Sequence, residues 1–181
     1  WSPTRWQRHQ FPFSIQKRME IIHEGVDTSL FKPSNQPFDT NHPIHITYTS
    51  RALEPMRCYN HFYKIIVPIM KLYPSVHLTI VGKSKAVYRP TFSKTSLCEE
   101  SFKYFENHDL MHRITHYERL DTSQYSKLLS KSQLHFYLSR PFVASWSLLE
   151  AMSSGCSIIS NITPMTAEFL NHKRNALLVD S

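Results

Sequence analysis

Glycine is nearly missing from this sequence: Gly25, Gly82 and Gly155 are the only three in 181 residues, where ordinary usage of about 7% gives roughly a dozen. Glycine lets backbone close tightly around a phosphate, so its scarcity excludes a glycine-rich phosphate cradle. No Gly-x-Gly-x-x-Gly follows the first strand-like run, which makes a dinucleotide-dependent oxidoreductase on a similar fold a poor reading. Cysteine is as sparse. Cys58, Cys98 and Cys156 are odd in number and lack metal-ligand spacing, which fits free thiols in a reducing compartment. No stretch approaches the length of an uncharged membrane-spanning helix. An initiator Met and a signal-peptide pattern are also missing, so Trp1 reads as a cut point inside a longer chain.

What is present is globular and basic. Hydrophobic residues make up 41% and charged residues 19%, enough apolar surface for a real core in one domain. A net charge of +7 invites a polyanion. The cations are scattered, however, with no basic run and no nucleic-acid-reading motif, so no nucleic acid is expected. A phosphate-bearing small ligand needs only two or three of them. Among the eleven histidines, His108 and His112 stand four apart but straddle a helix end and the next strand, so no metal site is expected.

Residues 1–20 are polar, aromatic and Arg-rich without periodicity, Glu20–His23 is a short apolar segment, and His23–Asp27 reads as a turn centred on Gly25. Residues 32–43 hold three prolines and read as a linker or surface loop. Ile44–Thr49 is the first strand. From Tyr59 to Tyr73, Phe62, Ile65, Ile66, Ile69 and Leu72 recur at helical spacing, with Pro68 expected to kink the helix or remove a hydrogen bond. Val76–Val81 is a strand, and a basic loop over residues 83–94 leads to a helix around Ser96–Asn107. Arg113–Tyr117 is a strand, Asp121 caps a helix through Ser130, and Leu134–Leu138 is a strand. Pro164–Asn171 reads as a helix and Asn175–Val179 as a last strand. Strand and helix alternate throughout, which predicts an α/β fold: a doubly wound parallel sheet of about six strands with helices on both faces.

The stretch from Pro141 to Asn161 carries the functional signal. It reads as a loop, a helix opening at Ser145 to Ser147, a stop at Gly155, and a buried strand over Cys156–Ser160. Ser145, Ser147 and Glu150 stand near the helix start, where unpaired backbone N–H groups favour an anion. Loop, helix start and buried strand in this order are where open α/β sheets bind ligands. Glu150 also follows Ser147 by three residues, a capping-box spacing with a purely structural use. Leu148, Leu149 and Met152 read as core, and Cys156 as an inert thiol.

Ser147-Leu-Leu-Glu-Ala-Met-Ser-Ser-Gly-Cys-Ser-Ile-Ile-Ser resembles the Leu-Glu-Ala-Met-Ala-x-Gly-x-Pro-Val-Ile signature of family 4 (group 1) glycosyltransferases, retaining enzymes of the two-domain GT-B fold. His23-Glu-Gly-Val-Asp-Thr-Ser-Leu-Phe31 is similar to the Pro-Asn-Gly-Val-Asp-x-x-x-Phe of their domain crossover. Residues 49–57, 78–82 and 175–180 follow in the family's order. The resemblance implies a Rossmann-like donor domain over residues 25–181, one half of a GT-B fold, preceded over residues 1–24 by a remnant of the N-terminal domain and the crossover.

It also implies roles. Arg51 and Arg57 match the cations on the donor diphosphate, which stabilise the departing group where other enzymes use a metal, so no metal or other cofactor is expected. Glu150 matches the carboxylate that binds the ribose hydroxyls, and Ser145, Trp146, Ser147 and Leu148 line the helix start beside phosphate and ribose. The family's other acid falls at Phe142, which cannot hydrogen-bond a sugar. Cys58, Glu118, Ser145 and Ala176 stand where the family has glycine, and a carboxylate at Glu118 is expected to repel phosphate and obstruct the site. The implied activity is transfer of a sugar from a nucleoside-diphosphate sugar, with retention, to an unknown saccharide or lipid-linked acceptor. It requires the N-terminal domain and takes place in the cytoplasm or peripherally at a membrane. The alternative is a degenerate, non-catalytic domain serving protein or polyanion interaction.

Overall fold

The computed structural model describes residues 1–35, 43–85, 87 and 95–180. Six parallel strands form one sheet: β1 (Ile44–Ala52), β2 (Val76–Lys83), β3 (Ile114–Tyr117), β4 (Leu134–Tyr137), β5 (Ser157–Asn161) and β6 (Ala176–Val179). Their order is β3-β2-β1-β4-β5-β6, so the winding reverses between β1 and β4. The helices are α1 (Arg5–His9), α2 (Phe13–Gln16), α3 (Tyr59–Leu72), α4 (Leu97–Glu106), α5 (Thr122–Ser130) and α6 (Trp146–Ser153). No described helix is long and apolar enough to cross a membrane.

Period-two alternation along the strands builds two cores. Ile46 and Tyr48 of β1, Leu78 and Ile80 of β2 and Phe136 of β4 face α3 and α4. Tyr137 and Ile158 face the other way, toward Leu129 of α5 and Leu148 and Ala151 of α6. On that second face β1 carries hydroxyls. Thr47 Oγ1 lies 2.8 Å from both Ser132 Oγ and His135 Nδ1. Burial lowers the pKa of His135 to about 3, so its imidazole is neutral.

Most elements lie where periodicity puts them. The helix of α3 continues through Pro68, at the cost of the N–H that would reach the carbonyl four residues back. Asp121 caps α5 in a full capping box with Gln124, and Ser96 caps α4 with Glu99 in the same way. The Pro68-type cost is tolerated because Phe62, Ile66 and Met70 of α3 are wholly buried.

Four expectations change. Arg5–His9 and Phe13–Gln16 are short helices despite their lack of periodicity; Glu168 accepts hydrogen bonds from Arg5 N and Trp6 N, both at 2.9 Å, so a residue from the far end of the chain caps the first of them. The turn near residue 25 instead starts at Asp27, whose Oδ1 takes Ser29 N and Oγ at 2.9 and 2.6 Å. Pro164–Asn171 is not an α-helix but a short 3₁₀ turn over Thr166–Glu168. There Thr163 and Thr166 exchange side-chain-to-backbone bonds at 2.8 and 3.0 Å, which compete with helical pairing. Finally β1 runs past Thr49 to Ala52. Most of the linker over 32–43 and of the loop over 83–94 lies outside the described residues.

The longer β1 contains a bulge. Thr49 pairs with Val81 but Ala52 pairs with Lys83, so Ser50 and Arg51 together oppose Gly82. A Cβ on Gly82 would stand 2.9 Å from Leu53 Cδ2 and 3.0 Å from the Ser50 carbonyl oxygen. The absent side chain is therefore what lets the two backbones close at the bulge. Gly82→Ala is expected to destabilise the domain by about 1–3 kcal/mol, as overpacking does, measured by urea denaturation. An unchanged midpoint would contradict the close-approach reading.

Candidate functional site

Above the reversal between β1 and β4, connections leave the sheet in opposite directions and open a crevice at the carboxyl ends of the strands. A cavity of about 420 Å³ occupies it. Its walls are Thr49–Arg51 at the β1 bulge, Val81 and Lys83 of β2, Glu118–Leu120 after β3, Tyr125 of α5, and Ser145, Ser147 and Glu150 at α6. Three interstrand steps of about 4.8 Å separate the β3 end from the β4 end, so the crevice is roughly 14 Å across.

At the α6 end, Ser145 is the N-cap without capping through its side chain. Its Oγ lies 2.8 Å from Ser147 Oγ. The Ser147–Glu150 capping box does not form, because the helix begins at Trp146 with Ser145 as its N-cap, and Glu150 falls in its second turn. That frees Glu150 for the cavity. Its carboxylate accepts no hydrogen bond among the described residues, and burial raises its pKa. Tyr125 Oη meets Thr49 Oγ1 at 2.8 Å between the two ends, and burial raises the phenol's pKa.

At the β3 end, Glu118 Oε1 accepts hydrogen bonds from Ser84 Oγ at 2.6 Å and Ser84 N at 3.4 Å. These bonds hold its carboxyl below the usual carboxylate range. Arg51, Lys83 and Arg119, all exposed, supply three cations between and around the two carboxylates. A ligand fitting this layout carries an anionic group for Arg51 and the α6 start and hydrogen-bond donors for the two carboxylates.

The structure brings together Arg51, Ser145, Ser147 and Glu150 of the expected site. It places three others elsewhere. Leu148 is wholly buried in the second core, and its backbone N–H is used by the Ser145 carbonyl at 3.0 Å. Trp146, the first residue of α6, is 63% exposed and outside the cavity wall. Arg57 is buried. Its Nη1 donates to Ser139 Oγ at 3.1 Å and Tyr137 Oη at 3.4 Å, and its guanidinium stands 6.0 Å from the centroid of the Phe142 ring. Tyr48 Oη donates to its carbonyl at 2.7 Å. The following residue, Cys58, adopts φ 51, the left-handed conformation that glycine takes without strain. Burial raises the Cys58 thiol's pKa, and the residue lines a second cavity of about 280 Å³ with Arg140 and Asn161.

Sequence reading missed Thr49, Lys83, Ser84, Arg119 and Tyr125. Lys83 and Thr49 carried a usable signal, since both end strands at the carboxyl edge. Tyr125 did not, because it comes from a helix whose placement depends on the fold. Cys156 lies where expected: burial pushes its pKa up to about 12, and its Sγ donates to the Leu129 carbonyl at 3.3 Å. Among the described residues no group of three His, Cys, Asp or Glu side chains could hold a metal ion.

Comparison with known proteins bears on this geometry. The glycosyl transferases group 1 model matches residues 19–181, and the glycosyl transferase family 4 group model matches residues 1–31. No curated protein sequence matches significantly. Among solved structures, the C-terminal domain of a group 1 glycosyl transferase (LpcC) from Francisella tularensis is similar, with 18% identity and a TM-score of 0.71 over 86% of this chain and 80% of that one. HepE from Anabaena, solved with UDP and glucose, gives 17% identity and a TM-score of 0.76 over 99% of this chain and 48% of that one. Sucrose-phosphate synthase from Thermosynechococcus elongatus gives 19% and 0.66 over 96% and 43%. This chain thus spans less than half the length of the latter two. The similarity in fold agrees with the crevice at the strand-order reversal, and the family match extends over nearly the whole chain. The chain belongs to the group 1 glycosyltransferases and corresponds to their C-terminal, GT-B half-domain.

Proposed function

We propose that this domain binds the nucleoside-diphosphate sugar of a retaining glycosyltransferase in the cavity of about 420 Å³. One observation carries the reading: Arg51, far away in sequence, meets Ser145, Ser147 and Glu150 in that one cavity. Arg51 faces the diphosphate from the β1 bulge. The hydroxyls of Ser145 and Ser147 and the start of α6 supply neutral donors to the same phosphates. Glu150, without a hydrogen-bond donor among the described residues, accepts the ribose hydroxyls. HepE, of the same fold, was solved with UDP and glucose, which supports a nucleotide-sugar ligand.

In this reading a cation and oriented dipoles stabilise the leaving diphosphate, and no metal is needed. Arg57 contributes from behind the loop after β4, through a guanidinium fixed by Tyr137 and Ser139, rather than by direct contact. The acceptor, saccharide or lipid-linked, belongs to the cleft against an N-terminal domain, at a cytoplasmic or membrane-peripheral location. The present chain alone is expected to transfer no sugar; turnover of a nucleotide sugar at enzymatic rates would contradict this.

A second reading rests on the Phe142 ring. It packs over Arg57, 6.0 Å from centroid to guanidinium carbon, where the resemblance places an acid. That favours a non-catalytic domain whose cavity is a remnant. Calorimetric titration with UDP separates the two readings. Saturable binding that Arg51→Ala weakens about tenfold or more supports the donor site, since a charged hydrogen bond is worth about 1.5–3 kcal/mol. Absence of binding below millimolar concentration favours the remnant.

Glu150→Gln is expected to move stability and binding in opposite directions. The folded state raises the Glu150 pKa, so the unfolded chain ionises first as pH rises. The carboxylate therefore costs stability, increasingly as pH rises from its unfolded pKa through its folded one. Glutamine removes that cost: the denaturation midpoint should rise at pH 7, with no gain below the unfolded pKa. Nucleotide affinity should fall. A midpoint that drops at pH 7 would contradict the assigned burial cost.

A further inference from the structure

We infer that Glu118 selects guanine, so that the donor is a guanosine-diphosphate sugar; the inference rests on the donor-site reading above. Glu118 lines the cavity at the end opposite Glu150 and α6. With phosphates at α6 and the bulge, and ribose at Glu150, a ligand spanning the crevice puts its base at the β3 end. Val81 and Leu120 give that end apolar walls.

The hydrogen bonding of Glu118 is one-sided. Ser84 engages Oε1 twice, through its hydroxyl at 2.6 Å and its N–H at 3.4 Å. Oε2 receives no hydrogen bond among the described residues. An ionised carboxylate only accepts, with about four lone-pair positions, so Ser84 fixes the group and leaves Oε2 open for a ligand. Lys83 and Arg119 flank it in the same wall with donors only.

An acceptor beside a donor discriminates among bases. Guanine presents N1–H and its exocyclic amine side by side, with O6 next to them. The first two pair with the carboxylate and O6 takes a cation. Uracil has one N–H between two carbonyl oxygens, so at least one oxygen would face the carboxylate. Adenine sets an acceptor, N1, beside its amine and has no oxygen for the cation. Cytosine likewise places N3 beside its amine. Guanine alone of the four offers the carboxylate two adjacent N–H donors with an acceptor for the cation beside them. The carboxylate that looks like an obstruction to phosphate is thus complementary to a base.

The test is calorimetric titration of the 181-residue chain with GDP, IDP, UDP, ADP and CDP, repeated on Glu118→Ala and Arg51→Ala. GDP should bind about tenfold or more tighter than UDP, since a site built around a ligand's N–H groups rejects analogues lacking them. IDP, which keeps N1–H and O6 but lacks the amine, should fall between. Glu118→Ala should erase the GDP preference by lowering GDP affinity and raising UDP affinity, with the unfolding midpoint nearly unchanged because the side chain is exposed. Equal or tighter UDP binding, or a GDP preference that survives Glu118→Ala, overturns the inference. If UDP binds and Arg51→Ala abolishes it without any guanine preference, the inference falls and the donor site stands. If no nucleotide binds, both fall.

Discussion

The reversal of strand order between β1 and β4 is the constraint on which the site depends. In a parallel sheet every connection crosses over, and the hand of the crossover is fixed. Helices that follow β1 and β4 must therefore land on opposite faces, and the loops above these two strands part. The gap survives because β1 and β4 are held together below it. Ile46 to Tyr48 pair with Leu134 to Phe136, and the buried Thr47, Ser132 and His135 side chains join the strands at 2.8 Å contacts. Polar groups so deeply buried are costly unless paired. Their partners fix this register, and a neutral His135 lets them coexist without a buried charge.

Much of the fold was legible because strand and helix periodicities survive in the core. Tyr48, Phe62 and Phe136, which pack ring against ring at 4.4 and 5.3 Å, all stood at positions their spacing marks as buried. Decisions made by tertiary structure were less legible. The polar pair Ser50 and Arg51 reads as a strand end, yet it continues β1 as a bulge because Gly82 lets the backbones close. Ser147 and Glu150 have capping-box spacing, but Ser145 begins the helix. Arg57 looks like a free cation, whereas Tyr137, Ser139 and Phe142, distant in sequence, enclose it. In each case the local pattern was real and a neighbour from another element prevailed.

The site combines local polarity with departures that change its meaning. Arg51 stands at the β1 bulge and Lys83 and Arg119 toward the β3 end, with Glu150 and Glu118 at opposite ends of the cavity. In sequence Glu118 reads as repulsive to phosphate. In space it stands at the far end from α6, tied back by Ser84. Phe142, where the resemblance places an acid, stands over the buried Arg57 guanidinium. One substitution thus fits a ligand and the other withdraws a functional group, a difference that only placement across the crevice reveals.

The central claim is that the crevice above the β1–β4 reversal is the nucleotide site. Amide chemical-shift mapping during titration of the domain with a nucleoside diphosphate tests it most directly. The account predicts shifts concentrated in residues 49–51, 81–84, 118–120 and 145–150, on both sides of the reversal. Shifts centred on the second cavity around Cys58, Arg140 and Asn161, or none at millimolar ligand, would contradict it.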